Sequence, residues 1–377
     1  MKILLLHASA GAGHKRAADA LATAIRECGA EPIVRDILDF TAPLFRKTYA
    51  EGYLDIVRTI PELWGYMYAR TDRPSQLPWK KTVRSFFNQL NTLSFTRFFK
   101  QLQPDAAVCT HFMPLEILSS RIRKMDSAVP LYGVVTDFAV HALWICSDVA
   151  RYYVATEEAR RQLIRRGQPA DRVKVTGIPV DPVFSRREPQ GSVRRRRGLK
   201  PNLPVLLLIG GGFGVGPTVQ LLRSFLRPTV PCQILMVAGK NEAMKREAEE
   251  AARTLPIPVK VYGFVDNVHE LMDAADLVIS KPGGLTSSEA LAKGKPLVII
   301  DPIPGQEQRN CEYLLEAGAA VRLFEIDDAP DKVQALLGNP LRMKRMARQA
   351  RLIGKPHAAL DIARDVMASL GGKPSYA

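Results

Sequence analysis

The sequence predicts an α/β fold built from two doubly wound domains, each a parallel sheet covered by helices on both faces. Three observations predict it. Short runs rich in Leu and β-branched residues alternate with helical patterns along most of the chain. The runs fall into two series on either side of a Pro- and Arg-rich seam. Glycine-bearing turns join strand ends to helix starts in both series.

The first series opens with a strand at Ile3–Leu6, followed by the turn Gly11-Ala12-Gly13. The helix after it carries Ala17, Leu21, Ala24, Ile25 and Cys28 at helical spacing, and Gly29 supplies its stop. Further strands are expected at 33–38, 106–110, 131–136, 152–155 and 173–176. The second series runs through 205–209, 234–238, 259–264, 277–280, 297–301 and 320–324, with helical patterns at 242–255 and 268–275. Domain boundaries follow: 1–185, a linker at 186–203, a second domain at 204–345, and a C-terminal helical segment at 346–377 packing back on the first domain. The linker reading rests on Pro189, Gly191, the run Arg194–Arg197, Pro201 and Pro204, a mixture that suits a solvated connector.

One block breaks the alternation. Residues 41–100 read as helical without clear strands and hold 12 of the 27 aromatics, with ten Lys and Arg against four Asp and Glu. Aromatic rings beside cations favour an anionic lipid interface, with Trp64, Tyr66, Tyr68, Trp79, Phe86 and Phe87 as membrane or acceptor candidates. The competing reading packs the same rings as a helical subdomain on the sheet. The net charge of +15 calls for an anionic partner without choosing among nucleic acid, membrane and phosphorylated substrate. The five cysteines are scattered with no CxxC pair, which argues against a disulfide framework or zinc site and suits a reducing cytoplasm. No apolar run is long enough to span a bilayer, so membrane contact is expected to be peripheral, at the inner face of the cell membrane.

Three turns can hold phosphate: Ser9–His14, Gly210–Gly216 and Lys281–Thr286. Glycine lets backbone approach a ligand, and the following helix offers unpaired N–H groups and a positive dipole end. None closes with the Gly-Lys-Ser/Thr of a Walker loop. The latter two follow strands of one sheet, where N–H groups from both can converge on a diphosphate. Thr286 and Glu289 form a capping-box pattern, and Glu289 is equally suited to accept hydrogen bonds from two ribose hydroxyls. His14, His111, Asp137 and His141 sit at strand ends on the ligand-facing edge of the first domain, and an imidazole titrates near neutrality.

The ordered motifs SAGAGH (9–14), VVTDFAVHALW (134–144), VTGIPVDPVF (175–184), GGGFG (210–214), SKPGGLTSSEALAKGKPLV (280–298) and PGQEQRN (304–310) resemble the monogalactosyldiacylglycerol synthase and processive diacylglycerol glucosyltransferase family. The resemblance spans roughly residues 1–325 and implies a GT-B fold, two Rossmann-like domains facing across a cleft. It implies an inverting transfer of a hexose from a UDP-sugar to diacylglycerol or a glycosyl-diacylglycerol. By the family pattern, His14 is general base or acceptor-site residue; Asp137, at a strand end, is a second catalytic candidate, and Gly13 beside His14 an acceptor-site candidate. Gly210, Gly211, Gly212, Phe213 and Gly214, with Gly283, Gly284, Leu285 and Thr286, would hold the diphosphate. Phe264 and Val265 would line the uracil, Glu289 the ribose, and Gln306 and Glu307 the donor sugar. Lys281 and Arg309 are candidate cations for the leaving group. No Asp-x-Asp metal motif is present, so neither a metal nor another cofactor is expected, and no nucleic-acid partner. Two rivals share the charge and the fold. A UDP-sugar 2-epimerase would convert the donor alone, and a non-catalytic module binding anionic lipid or nucleic acid would bind membranes without forming product.

Overall fold

The computed structural model describes residues 1–9, 11–42, 46, 52, 59–72, 92–122, 128–210 and 216–371. The chain divides into two compact units. One comprises Met1–Pro182 with Ile303–Gln306 and His357–Ala377; the other comprises Val183–Pro302 with Glu307–Pro356.

In the first unit, β1 (Lys2–His7), β2 (Glu31–Asp36), β3 (Ala106–Cys109), β4 (Leu131–Val134), β5 (Arg151–Val154) and β6 (Val173–Val175) form one parallel sheet in the order β2-β1-β3-β4-β5-β6. Its helices are α1 (Ala12–Glu27), α2 (Pro61–Thr71), α3 (Thr92–Leu102), α4 (Phe112–Ile122) and α5 (Glu157–Arg165). The inner strands β1, β3 and β4 read as near-continuous apolar runs because both faces are covered, whereas the edge strand β2 is polar and half-exposed. Alternation along β1 sends Leu4 and Leu6 to one core with Ala107, Cys109, Phe95, Phe99 and the α4 residues Leu115 and Leu118. Ile3 and Leu5 go to the opposite core with Leu21 and Ile25 of α1. Helices α1 and α4 thus lie on opposite faces, and β1 and β3 are hydrogen-bonded neighbours, with Leu4 opposite Ala107. That reversal is a topological switch point, where a crevice opens beyond the carboxyl ends of the strands. Gly29, at φ 79°, ends α1, a conformation an L side chain rarely adopts.

The second unit repeats the plan. Strands β7 (Val205–Ile209), β8 (Gln233–Val237), β9 (Val259–Tyr262), β10 (Leu277–Ser280), β11 (Leu297–Ile299) and β12 (Ala320–Arg322) take the order β12-β11-β10-β7-β8-β9, all parallel. This is the doubly wound order with its switch point between β7 and β10. Its helices are α6 (Gln190–Arg196), α7 (Thr218–Ser224), α8 (Glu242–Thr254), α9 (Val268–Ala274), α10 (Gly284–Ala292), α11 (Gln306–Glu316), α12 (Ala329–Leu337) and α13 (Pro340–Ile353). The last helix, α14 (Ala358–Ser369), packs Ile362, Ala363 and Val366 into the core that α1 shares. Its Asp365 accepts from Tyr153 (2.8 Å) and pairs with Arg151 and Lys174, tying the helix to the edge of the first sheet.

Two expectations are corrected. Residues 186–203 are not a solvated connector, because α6 lies among them and is anchored in the second unit. Val193 is fully buried, Arg194 pairs with Asp276 (2.6 Å), and Arg196 and Arg197 share Glu270 (3.2 and 2.7 Å). The arginine run is tolerated because acids about 75 residues downstream, distant in sequence and adjacent in space, neutralise it. The aromatic block splits in two. On α3, Phe95 and Phe99 are core residues and Phe98 packs on Phe40, so these rings are structural. On α2, no residue is buried, and Leu63, Tyr66 and Met67 stand in solvent. Trp79, Phe86 and Phe87 lie outside the described residues. No helix among the described residues is long and apolar enough to cross a membrane.

Candidate active site

The first switch point is lined by imidazoles and hydroxyls. Beyond β1 the chain turns through Gly11, whose φ of 121° requires glycine, and enters α1 with no side-chain cap and no acid in its first turn. Gly13 and His14 sit in that turn. The His14 Nδ1 lies 2.9 Å from the Thr110 carbonyl oxygen at the end of β3 and 2.9 Å from Thr136 Oγ1 beyond β4. A carbonyl only accepts, so Nδ1 carries the proton and Nε2 carries the lone pair. The Thr110 hydroxyl donates back to the His14 carbonyl at 2.9 Å, closing a two-way clamp between α1 and β3. The buried His111 ring meets His14 edge-on, with centroids 4.5 Å apart.

Burial lowers the His14 pKa; the charge of Asp137 and the Thr110 hydrogen bond oppose this without cancelling it. His111 is pushed well below the usual range by burial and then by its neighbours His14 and His7. Burial therefore favours the neutral form of both rings, and the Thr110 carbonyl holds His14 in a fixed tautomer. Asp137 influences His14 through charge, as its position beyond β4 allows. Nothing in their local sequence assigns Thr110 or Thr136 a role. Their only signal was adjacency to His111 and Asp137 at strand ends.

His141 has a different task. Its Nδ1 accepts from Leu143 N (3.2 Å), and its Nε2 donates to the Tyr68 carbonyl (2.9 Å). Asp72, just past α2, accepts from Ala142 N (2.7 Å) and pairs with Arg166 (2.9 Å). These bonds fix the C-terminal end of α2, on which Trp64 and Tyr68 are half-buried and Tyr66 is exposed.

The second switch point is built from backbone and one lysine. Ser280 pairs with Ile209, so the turns after β7 and β10 leave the sheet side by side. A Cβ on Gly210 would press on Met244 and Thr218, and one on Gly216 (φ 125°) would strike Lys281 Cε at 2.6 Å. Gly211, Gly212, Phe213 and Gly214 lie outside the described residues. Lys281 crosses this turn to pair with Asp301 (2.8 Å). Helix α10 starts at Gly284 after the N-cap Gly283, with no side-chain cap. Thr286 lies inside the first turn, so the capping-box reading is corrected: the cap is a glycine, and the first-turn N–H groups point from a helix end that suits an anion. Leu285 is buried and can offer only its N–H.

Glu289, 2% exposed, lies one turn further along α10. Asn310, fully buried on α11, donates to the Pro282 carbonyl (3.1 Å), and Glu307 approaches Gly283. Gln306 and Glu307 are the first residues of α11, after Gly305. Phe264 is exposed beyond β9 with Lys240 Nζ 5.3 Å from its ring centroid, and Val265 beside it is half-buried. Among the described residues no group of three His, Cys, Asp or Glu side chains could hold a metal ion.

Two parallel Rossmann-like sheets with glycine turns at their switch points define the GT-B class, and solved structures agree on that fold. Over 98% of this chain and 99% of its own, MurG of Acinetobacter baumannii superimposes with a TM-score of 0.66 at 17% identity. HepE of Anabaena in complex with UDP-glucose covers 98% and 100% with a TM-score of 0.58 at 16% identity. Within that class, residues 14–180 match the monogalactosyldiacylglycerol (MGDG) synthase family and residues 214–365 the glycosyltransferase family 28 C-terminal domain. A processive diacylglycerol β-glucosyltransferase from Bacillus cereus is 30% identical over the whole chain and 95% of its own length, and one from Bacillus pumilus is 29% identical over 97% and 94%. The chain belongs to the processive diacylglycerol β-glucosyltransferase family.

Proposed function

We propose that this enzyme transfers a hexose from a UDP-sugar to the hydroxyl of diacylglycerol or a glycosyl-diacylglycerol, with inversion, while bound at an anionic membrane surface. The observation that carries the chemistry is the His14 imidazole, donating from Nδ1 to the Thr110 carbonyl and so presenting a basic Nε2. Nε2 takes the acceptor proton as the hydroxyl oxygen bonds to the anomeric carbon. The bond from that carbon to the diphosphate breaks on the opposite face, and UDP leaves with the electron pair. A single displacement inverts the centre. Uncapped N–H groups at the start of α10 and the Lys281 ammonium suit the charge gathering on the diphosphate. Glu289 takes the ribose hydroxyls, the Phe264–Val265 backbone takes the uracil, and Gln306 with Glu307 takes the sugar.

Membrane attachment is supported by α2. Ile60, Leu63 and Met67, each 43–51% exposed, recur at helical spacing, with Arg70 beside Tyr66 at its end. Purified protein incubated with diacylglycerol vesicles and a panel of labelled UDP-sugars is the test. The expected product is a glycosylated diacylglycerol of inverted configuration. Epimerised sugar nucleotide without lipid product would overturn the reading.

A further inference from the structure

A second cavity opens in the first unit beside α1, with a volume of about 510 Å³, at the carboxyl ends of β1 and β2. Its walls include His7, Ser9, Lys15, Asp19, Asp36 and Asp39, and Lys15 directly follows His14. Two of these side chains carry polar atoms that the fold leaves unused. Asp36 is 7% exposed; its Oδ1 accepts from Leu38 N (2.9 Å) and Ser9 N (3.4 Å), and its Oδ2 has no partner among the described residues. His7 is 4% exposed, and its Nδ1 likewise has none. A buried polar atom left without a hydrogen bond is unfavourable, so the retention of both points to a ligand that satisfies them.

The charges define that ligand. Lys15 pairs with Asp19 (2.7 Å), Arg46 pairs with Asp39 (2.7 Å), and the Arg35 guanidinium bonds to the Val34 carbonyl (2.8 Å) and lies over the Phe98 ring. Among the described residues each cation at the cavity has a partner, and the open atom of Asp36 repels an anion. With these carboxylates sharing the cations and Asp36 Oδ2 open, the cavity suits a neutral polyhydroxyl group better than a phosphate. Diacylglycerol has a single hydroxyl; a hexosyl head group has enough to serve both atoms, since a hydroxyl donates to a carboxylate oxygen and can donate to or accept from an imidazole nitrogen.

We infer that the His7–Asp36 cavity is the subsite for the sugar head of a glycosylated lipid acceptor, the position that decides whether a second sugar is added. The inference rests on the transfer reaction proposed above. In the first round the diacylglycerol hydroxyl meets His14 and the cavity is not needed. In the second, the hexose enters, one hydroxyl donates to Asp36 Oδ2, another hydrogen-bonds His7 Nδ1, and one remaining hydroxyl faces His14 Nε2.

Asp36→Asn keeps the Oδ1 acceptor for Leu38 N and replaces the open acceptor with a donor. The variant is expected to form the singly glycosylated lipid at the wild-type rate and the doubly glycosylated lipid at least about tenfold more slowly. Octyl β-glucoside, followed by calorimetry, is expected to bind wild type and to bind Asp36→Asn at least about tenfold more weakly, with UDP affinity equal in both. His7→Phe carries the same comparison if Asp36→Asn does not fold. An unchanged product ratio and unchanged glucoside affinity overturn the inference, as does inorganic phosphate binding in place of the glucoside. If wild type makes no lipid product with any donor, the transfer reaction itself fails, and glucoside binding still decides the cavity.

Discussion

The two sheets share strand number, parallel pairing and a switch point, yet what stands at those switch points differs in kind. Beyond β1 and β3 are imidazoles and hydroxyls, with His14 clamped by Thr110 and Thr136. Beyond β7 and β10 are glycines, a lysine and an uncapped helix end. The fold supplies the same crevice twice, and in the proposed reaction the side chains divide the labour: one site provides the proton acceptor, the other receives the negative charge. A histidine works only in a fixed tautomer, so its site needs partners from three elements. A diphosphate is recognised by backbone N–H groups, so its site needs glycine and a helix start.

The largest expected break in this contrast is His14→Ala. Turnover should fall at least ~100-fold, the scale of general-base catalysis, while calorimetry finds UDP affinity unchanged. A parallel loss of UDP binding would mean the two sites are not separable. In the second unit, Glu289→Gln should raise the KM for UDP-sugar about tenfold or more without changing the rate at saturating donor, since a carboxylate accepts stronger hydrogen bonds than an amide. A fall in kcat alone would remove Glu289 from ribose binding.

The halves of the aromatic block give a third comparison. Leu63→Ser with Met67→Ser on α2 should weaken binding to anionic vesicles by about tenfold in a flotation assay, at unchanged thermal stability. Phe95→Ala on α3 should instead lower stability by about 3 kcal/mol or more, because it empties core volume. The gentlest effect is on pH. His14 must be neutral to act, and its pKa lies below the ordinary 6.5, so kcat/KM should hold steady from pH 8 down past 6.5 and lose activity only below that. A half-maximal point above 6.5 would contradict the burial argument. The stability of the first unit follows the same sign. The unfolded chain takes up protons at His7, His14 and His111 near pH 6.5 while the folded one resists, so stability falls as pH drops below that value.

Most strands were legible because each is short, apolar and bounded by a turn; β7 and β10 coincide with their expected limits, β1 is longer by a residue at each end, β2, β5 and β8 are shifted by one or two residues, and the rest are trimmed by one or two where the sheet gives way to loop. The positions of His14, Gly283 and Glu289 were legible for the same reason, since strand ends in a doubly wound sheet are where ligands bind. The cap of α10 was misread because Thr286 and Glu289 fit a local pattern, while the chain enters the helix three residues earlier at Gly283. The linker was misread because Arg194 and Arg197 find Asp276 and Glu270 only after folding.

By itself the sequence determined the α/β class, the two series of strands and the edges that bear chemistry, because hydrophobic periodicity and glycine turns are local and leave their mark on neighbouring residues. Tertiary structure alone decided which strands adjoin, which nitrogen of His14 is protonated, which rings of the aromatic block are core, and which buried atoms of His7 and Asp36 lack a partner among the described residues. Each of these depends on a partner tens of residues away or more, and a hydrogen bond or ion pair exists only once the fold has brought its two ends within about 3 Å.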